Sequence, residues 1–260
     1  MSRLVFLAIV EPCCAVALES PALARGELVD EPEALTRWIA GDMVAWLHSD
    51  PVDVGGTTAT ALGRIARGED PLTAGASHDR SAANGGLMRC LPTALARPDA
   101  TTRRRESQLI SGITHREPRC LDAVVAYNDM AHVLVEGADP GEAIDRAVAA
   151  LHAHEHDPRT REAITEARHA AAMPWQSGGS VLTSLAIAVW AIGQPRPAED
   201  LLIEVCNAGG DADTNGAIAG GLLGVRDGAS GWPTRWVHAL ERGAELGDLA
   251  HPLHALRHAG

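Results

Sequence analysis

The stretch Arg119–Gly137, "RCLDAVVAYNDMAHVLVEG", decides the class of fold. Leu121, Val124, Val125, Asn128, Ala131, Leu134 and Val135 recur at steps of three and four, the spacing of one helix face and not the alternation of a strand. The next segment repeats the pattern with Ala143, Ile144, Ala147, Val148 and Leu151, and Pro140-Gly141 marks its start, where a proline is tolerated. Working outward, the same period predicts helices over 32–48, 55–67, 84–96, 103–112, 119–136, 141–154, 158–170, 180–192, 197–207, 213–225 and 233–244. Between them stand Gly and Pro breakers such as Asp50-Pro51, Gly85-Gly86, Pro118, Gly137, Pro158, Gly178-Gly179 and Gly209-Gly210. No run of alternating β-branched residues is long enough to predict a strand. No linker divides the chain and no repeat is visible. The expectation is a single all-α domain of about ten helices.

Composition agrees. The chain has 260 residues, 46% of them hydrophobic and only 3% aromatic, with many Ala and Gly that let helices approach closely. All 22 basic residues are Arg, and the net charge is -12, which argues against a general nucleic-acid binder. Five cysteines (Cys13, Cys14, Cys90, Cys120, Cys206) form no CxxC pair, and an odd number suggests reduced thiols in a cytoplasmic protein. The N-terminal apolar run Leu4–Val10 is interrupted by Glu11 and Pro12, short for a secretory signal. No apolar run reaches the 18 residues of a membrane span.

Chemistry concentrates in "NAGGDADTNGAIAGGLLG", Asn207–Gly224. Asp211, Asp213 and Thr214 crowd the start of a predicted helix. One residue of this kind is an ordinary helix cap. Three converge only if the backbone turns sharply, which Gly209 and Gly210 permit. An all-oxygen cluster suits a hard cation such as Mg²⁺, Mn²⁺ or Ca²⁺ and does not suit zinc. Spacing alone leaves metal holding and capping both open.

The stretch "GGDADTNGAIAGGLLG" resembles the C-terminal metal motif of the ADP-ribosylglycohydrolase family. Four further stretches resemble that family in its order: "DVGGTTATAL" (Asp53–Leu62), "SAANGGLMRCLPTAL" (Ser81–Leu95), "ITHREPRCLDAVVA" (Ile113–Ala126) and "SGGSVLTSLAIAVWAI" (Ser177–Ile192). The resemblance covers roughly 24–245. It divides the chain into an atypical N-terminal segment 1–23, a compact all-α domain 24–250 and a tail 251–260. It implies a cleft holding two divalent ions, Mg²⁺ or Mn²⁺, beside an ADP-ribose. Asp211, Asp213 and Thr214 match the metal ligands, with Asp211 and Asp213 also implied as catalytic. Asn84, Gly85 and Gly86 match a loop against ribose and diphosphate. His115 and the pair Gly178-Gly179 match further substrate-side positions. The implied reaction is hydrolysis of the bond between ADP-ribose and a protein side chain or small conjugate; apart from the resemblance, a monomer is expected. The implied transition state resembles an oxocarbenium ion.

Two departures bear on activity. The family's first metal half-site is an N-terminal Thr-Asp-Asp-Thr, and its place falls on Ile9, Val10, Glu11 and Pro12, of which only Glu11 could ligate. Ser180 stands where relatives often carry an aromatic residue. A non-catalytic ADP-ribose binder is therefore the alternative expectation. The histidines His152–His156 and His251, His254 and His258 read as solvated surface.

Overall fold

The computed structural model describes residues 31–152, 156–173, 178–240, 243–244, 247–248 and 257. The Glu11 expectation, the 23/24 boundary and His251, His254 and His258 fall outside them. Among the described residues there are eleven α-helices and no strand. They are α1 (Pro32–Leu47), α2 (Gly56–Ala66), α3 (Leu91–Ala96), α4 (Ala100–Gly112), α5 (Pro118–Val135), α6 (Pro140–His152), α7 (Pro158–His169), α8 (Val181–Gly193), α9 (Ala198–Asn207), α10 (Ala212–Asp227) and α11 (Thr234–Ala239).

Three of the predicted helices differ from the structure: 233–244 is helical over Thr234–Ala239 and broken at the extended Leu240, and two others differ for a local reason. The segment 84–96 is split into a 3₁₀ turn, Asn84–Arg89, and the short α3. Pro92 has no N–H to carry a helix through this point. Helix α4 starts at Ala100 and not at 103, because Asp99 caps it, accepting from Thr102 N at 2.8 Å. Its polar first turn, "ATTR", gave hydrophobic periodicity nothing to detect.

Helices α5 and α8 form the centre. Helix α8, "VLTSLAIAVWAIG", is apolar almost all round and buries every residue from Ser184 to Ile192. Helix α5 is buried on more sides than its periodic face: Ala123, Ala126, Tyr127, Met130 and Val133 are inside as well. It even buries Asp129, which accepts from Arg103 at 2.9 Å and from Arg104 Nε at 2.8 Å. Helix α10 packs beside α8 and α9. Its glycines make that approach possible: a Cβ on Gly216 would lie 3.0 Å from Cys206 Sγ. A smaller cluster of Leu35, Ile39, Met43, Leu62, Ile110 and Ile113 joins α1, α2 and α4. The cleft described next lies where elements of this cluster meet α10.

Candidate active site

A cleft of about 280 Å³ is lined by Met43 and Trp46 of α1, the Asp53–Thr58 segment entering α2, the Asn84 loop, His115, Gly179 and the start of α10. The chain reaches the last of these through a turn with Gly209 at φ 75° and Gly210 at φ 63°, where L residues are strained. Asp211, Asp213 and Thr214 follow at once and all line the cleft. Asp211 precedes α10, yet its side chain caps nothing there. It reaches across to Asn84, whose Nδ2 donates to Asp211 Oδ2 at 2.7 Å. Capping therefore does not account for Asp211. Asp213 Oδ1 accepts from Thr214 N at 2.9 Å.

Asn84 is tied down from several sides. Its backbone N donates to Gly179 O at 3.0 Å, beside an antiparallel bridge between Ala83 and Ser180. Ser180 itself is exposed and absent from the cleft lining. Asn84 Nδ2 also donates to Ser184 Oγ at 2.9 Å, and Ser184 donates in turn to Asn215 Oδ1 at 2.6 Å. Gly85 must be glycine for contact reasons: an added Cβ would sit 2.7 Å from His115 Cε1. Gly86 lies behind the cleft, where a Cβ would come within 2.3 Å of Ser111 Oγ. Gly178 is exposed and outside the lining.

His115 forms the floor beneath Gly85 and is only 1% exposed. Its Nδ1 is 2.7 Å from Thr114 Oγ1, to which Arg89 Nη2 donates at 2.7 Å. Arg89 also donates to the carbonyls of Gly85, Ile110 and Ser111, so one guanidinium joins the Asn84 loop to the His115 segment. Burial, helped by the Arg89 charge, lowers the His115 pKa to about 3. The ring is neutral near pH 7.

Seven of the residues expected from sequence thus line one cleft: Asn84, Gly85, His115, Gly179, Asp211, Asp213 and Thr214. Asp53, Thr57, Thr58 and Trp46 join them; the first three lie in the stretch Asp53–Leu62, whose resemblance to the family carries the signal without assigning a site residue there. Gly55-Gly56-Thr57-Thr58 opens α2 with no side-chain cap, and the bare N–H groups of such a start favour anions. For Trp46 there was no local signal.

The donor set of Asp211, Asp213 and Thr214 is all oxygen and fits Mg²⁺ or Mn²⁺. Two carboxylates are less than a full coordination shell, and among the described residues no group of three or more His, Cys, Asp or Glu converges. Asp211, Asp213 and Thr214 would supply part of the ligands of such an ion. His152 meets Arg161 and belongs to no such group.

An all-α domain with an Asp-x-Asp-Thr helix start facing an Asn-Gly-Gly loop defines the class, and the chain belongs to the ADP-ribosylglycohydrolase family, whose model matches residues 1–260. An ADP-ribosyl-[dinitrogen reductase] glycohydrolase of Rhodospirillum rubrum is 30% identical over 238 residues, 86% of this chain and 76% of that protein. The ADP-ribosylarginine hydrolase Tri1 of Pseudomonas putida (strain GB-1) is 29% identical over 77% of this chain. This chain spans about half, 53%, of that relative's length. A solved structure, an ADP-ribosylglycohydrolase-related protein complex, superposes with a TM-score of 0.79 at 27% identity, covering 94% of this chain and 80% of its own. Among the described residues no helix is long and apolar enough to cross a membrane.

Proposed function

We propose that this chain is a divalent-metal-dependent hydrolase that releases ADP-ribose from a modified protein side chain, or from a small conjugate, through the cleft at the start of α10. The observation that carries the reading is the convergence of Asp211, Asp213 and Thr214 on the Asn84 loop. Family membership supports the ADP-ribose chemistry, and the name of one relative, an ADP-ribosylarginine hydrolase, makes ADP-ribosylarginine the first substrate to test. Asp211, Asp213 and Thr214 would hold Mg²⁺ or Mn²⁺. Such an ion supplies a grip on ribose hydroxyls and acidifies a water. The uncapped start of α2, with Thr57 and Thr58, offers N–H and O–H donors to the diphosphate. Asp53 is a third carboxylate in the cleft, and on this reading it is the residue to take a proton from the attacking water. Trp46 and Met43 supply an apolar wall that limits water.

The free thiols Cys90, Cys120 and Cys206 suit a reducing, cytoplasmic setting. The test is release of ADP-ribose from ADP-ribosylarginine with and without Mn²⁺. Asp213→Ala and Asp211→Ala should abolish the metal-dependent release; full retention in Asp213→Ala would overturn the assignment. One observation favours a second reading, a non-catalytic ADP-ribose binder: where the family carries its N-terminal Thr-Asp-Asp-Thr, this chain has Ile9, Val10, Glu11 and Pro12. Calorimetry separates the two, because that reading gives ADP-ribose binding without turnover.

A further inference from the structure

Behind the cleft, two buried side chains outside its lining continue the network: Ser184 of α8 and Asn215 of α10. Each hydrogen bond in this network dictates the next. A carboxylate oxygen accepts, so the Asn84 atom 2.7 Å from Asp211 Oδ2 is the nitrogen. That nitrogen has a second proton, which goes to Ser184 Oγ at 2.9 Å. A hydroxyl has one proton to give, and Ser184 gives it to Asn215 Oδ1 at 2.6 Å. The amide of Asn84 has one allowed sense. Its flip would set a carbonyl oxygen against a carboxylate and leave Ser184 with a mismatched partner, in a place where unmet polar groups cost about 1–3 kcal/mol each.

We propose that Ser184 and Asn215 are positioning residues that lock the Asn84 amide in one sense. Both of its N–H bonds are committed inside the protein, Asp211 is held in a single orientation, and Asn84 meets a ligand only as an acceptor through Oδ1. The lock stands on geometry alone; its effect on metal binding rests on the proposed metal role of Asp211. A chemical consequence follows for the ligand. Whatever Asn84 reads must donate a hydrogen bond. A ribose hydroxyl does so and a phosphate oxygen does not, so Asn84 faces the sugar and leaves the diphosphate to other groups. Gly179 completes the arrangement, since a Cβ there would come within 3.3 Å of Asp211 Oδ2 and 3.8 Å of Asn84 Oδ1.

The test uses the ¹⁵N-labelled full chain. The side-chain amide of Asn84, assigned by its loss in Asn84→Ala, should exchange with solvent at least ~10-fold more slowly than that of exposed Asn207, the ratio that one hydrogen bond of about 1.4 kcal/mol gives. Ser184→Ala and Asn215→Ala should speed that exchange, and Ser184→Thr, which keeps the hydroxyl, should not. Mn²⁺ titrations should show binding ~10-fold weaker in each Ala variant. The double variant should be no weaker than the worse single, because both act through one amide. Equal exchange of Asn84 and Asn207 in the unaltered chain overturns the lock with no variant needed, as does a folded Ser184→Ala with unchanged exchange. If the unaltered chain binds no Mn²⁺ while Asn84 is protected, the metal reading fails and the lock stands. If Mn²⁺ binds all variants equally although protection is lost, the hold on Asp211 is refuted.

Discussion

His115 shows what the structure adds at a single residue. Sequence resemblance set it beside the substrate, and it does line the cleft, but beneath Gly85 and almost fully buried. Its pKa falls from the ordinary 6.5 to about 3, first through burial and then through Arg89. A neutral ring cannot pair with a diphosphate, so its work there is packing and hydrogen bonding. The folded pKa lies below the unfolded one. Between about pH 3 and pH 6.5 the unfolded chain therefore binds a proton that the native chain does not. The stability contributed by neutral His115 is complete above about 6.5. It falls as the pH drops through that window, by up to ~1.4 kcal/mol per pH unit. The ring proton resonances of His115 should accordingly show no titration between pH 8 and pH 5, and a midpoint above 5 would contradict the burial. The same residue marks a limit of sequence reading. The segment "ITHREP" identifies the histidine, whereas its depth depends on Gly85 and Arg89, which arrive from another part of the chain.

At the level of elements, neighbouring glycines on α10 respond differently to the same change. A Cβ on Gly220 would meet the Leu202 methyls at 3.6 and 3.8 Å, which is ordinary contact. Gly220→Ala should then gain the helix propensity of alanine, ~0.5–1 kcal/mol. A Cβ on Gly221 would lie 2.5 Å from Tyr127 Oη and 3.1 Å from Leu91 Cδ2. Tyr127 Oη is held in place, donating to Ile218 O at 2.8 Å inside the core. Overpacking of ~1–3 kcal/mol outweighs the propensity gain, so Gly221→Ala should destabilise by ~1–2 kcal/mol. Urea unfolding of the two variants measures the contrast, and equal midpoints would refute it. The small residues "GAIAGGLLG" make it legible that this helix can sit deep, because side-chain volume is a local property. Which glycine touches what was not legible, because Leu202 and Tyr127 come from α9 and α5. Likewise, Asp211-Ala-Asp213-Thr214 was readable as a cluster from its spacing. The choice between cap and cleft needed Asn84, 127 residues away in the chain.

Over the whole molecule, the cleft draws on segments at 43–46, 53–58, 83–89, 115, 179 and 211–214, so it exists only when α1, α2, the connections leading into α5 and α8, and α10 are assembled. Any ligand of this cleft binds the folded chain and not the unfolded one. It must therefore stabilise the domain as a unit, by about 2.7 kcal/mol at one hundred times its dissociation constant. For a domain of this size each kcal/mol moves the melting temperature by ~2–4 °C, giving an expected rise of ~5–10 °C. Thermal melts should show such a rise with saturating Mn²⁺ and a further one with ADP-ribose. The buried relay behind Asn84 is untouched by substitution at Asp213, so Asp213→Ala should melt near the unaltered chain without ligand. It should also lose the Mn²⁺ response. If Asp213→Ala kept the full Mn²⁺ rise, the ion would be bound elsewhere, and the start of α10 could not be the metal half-site.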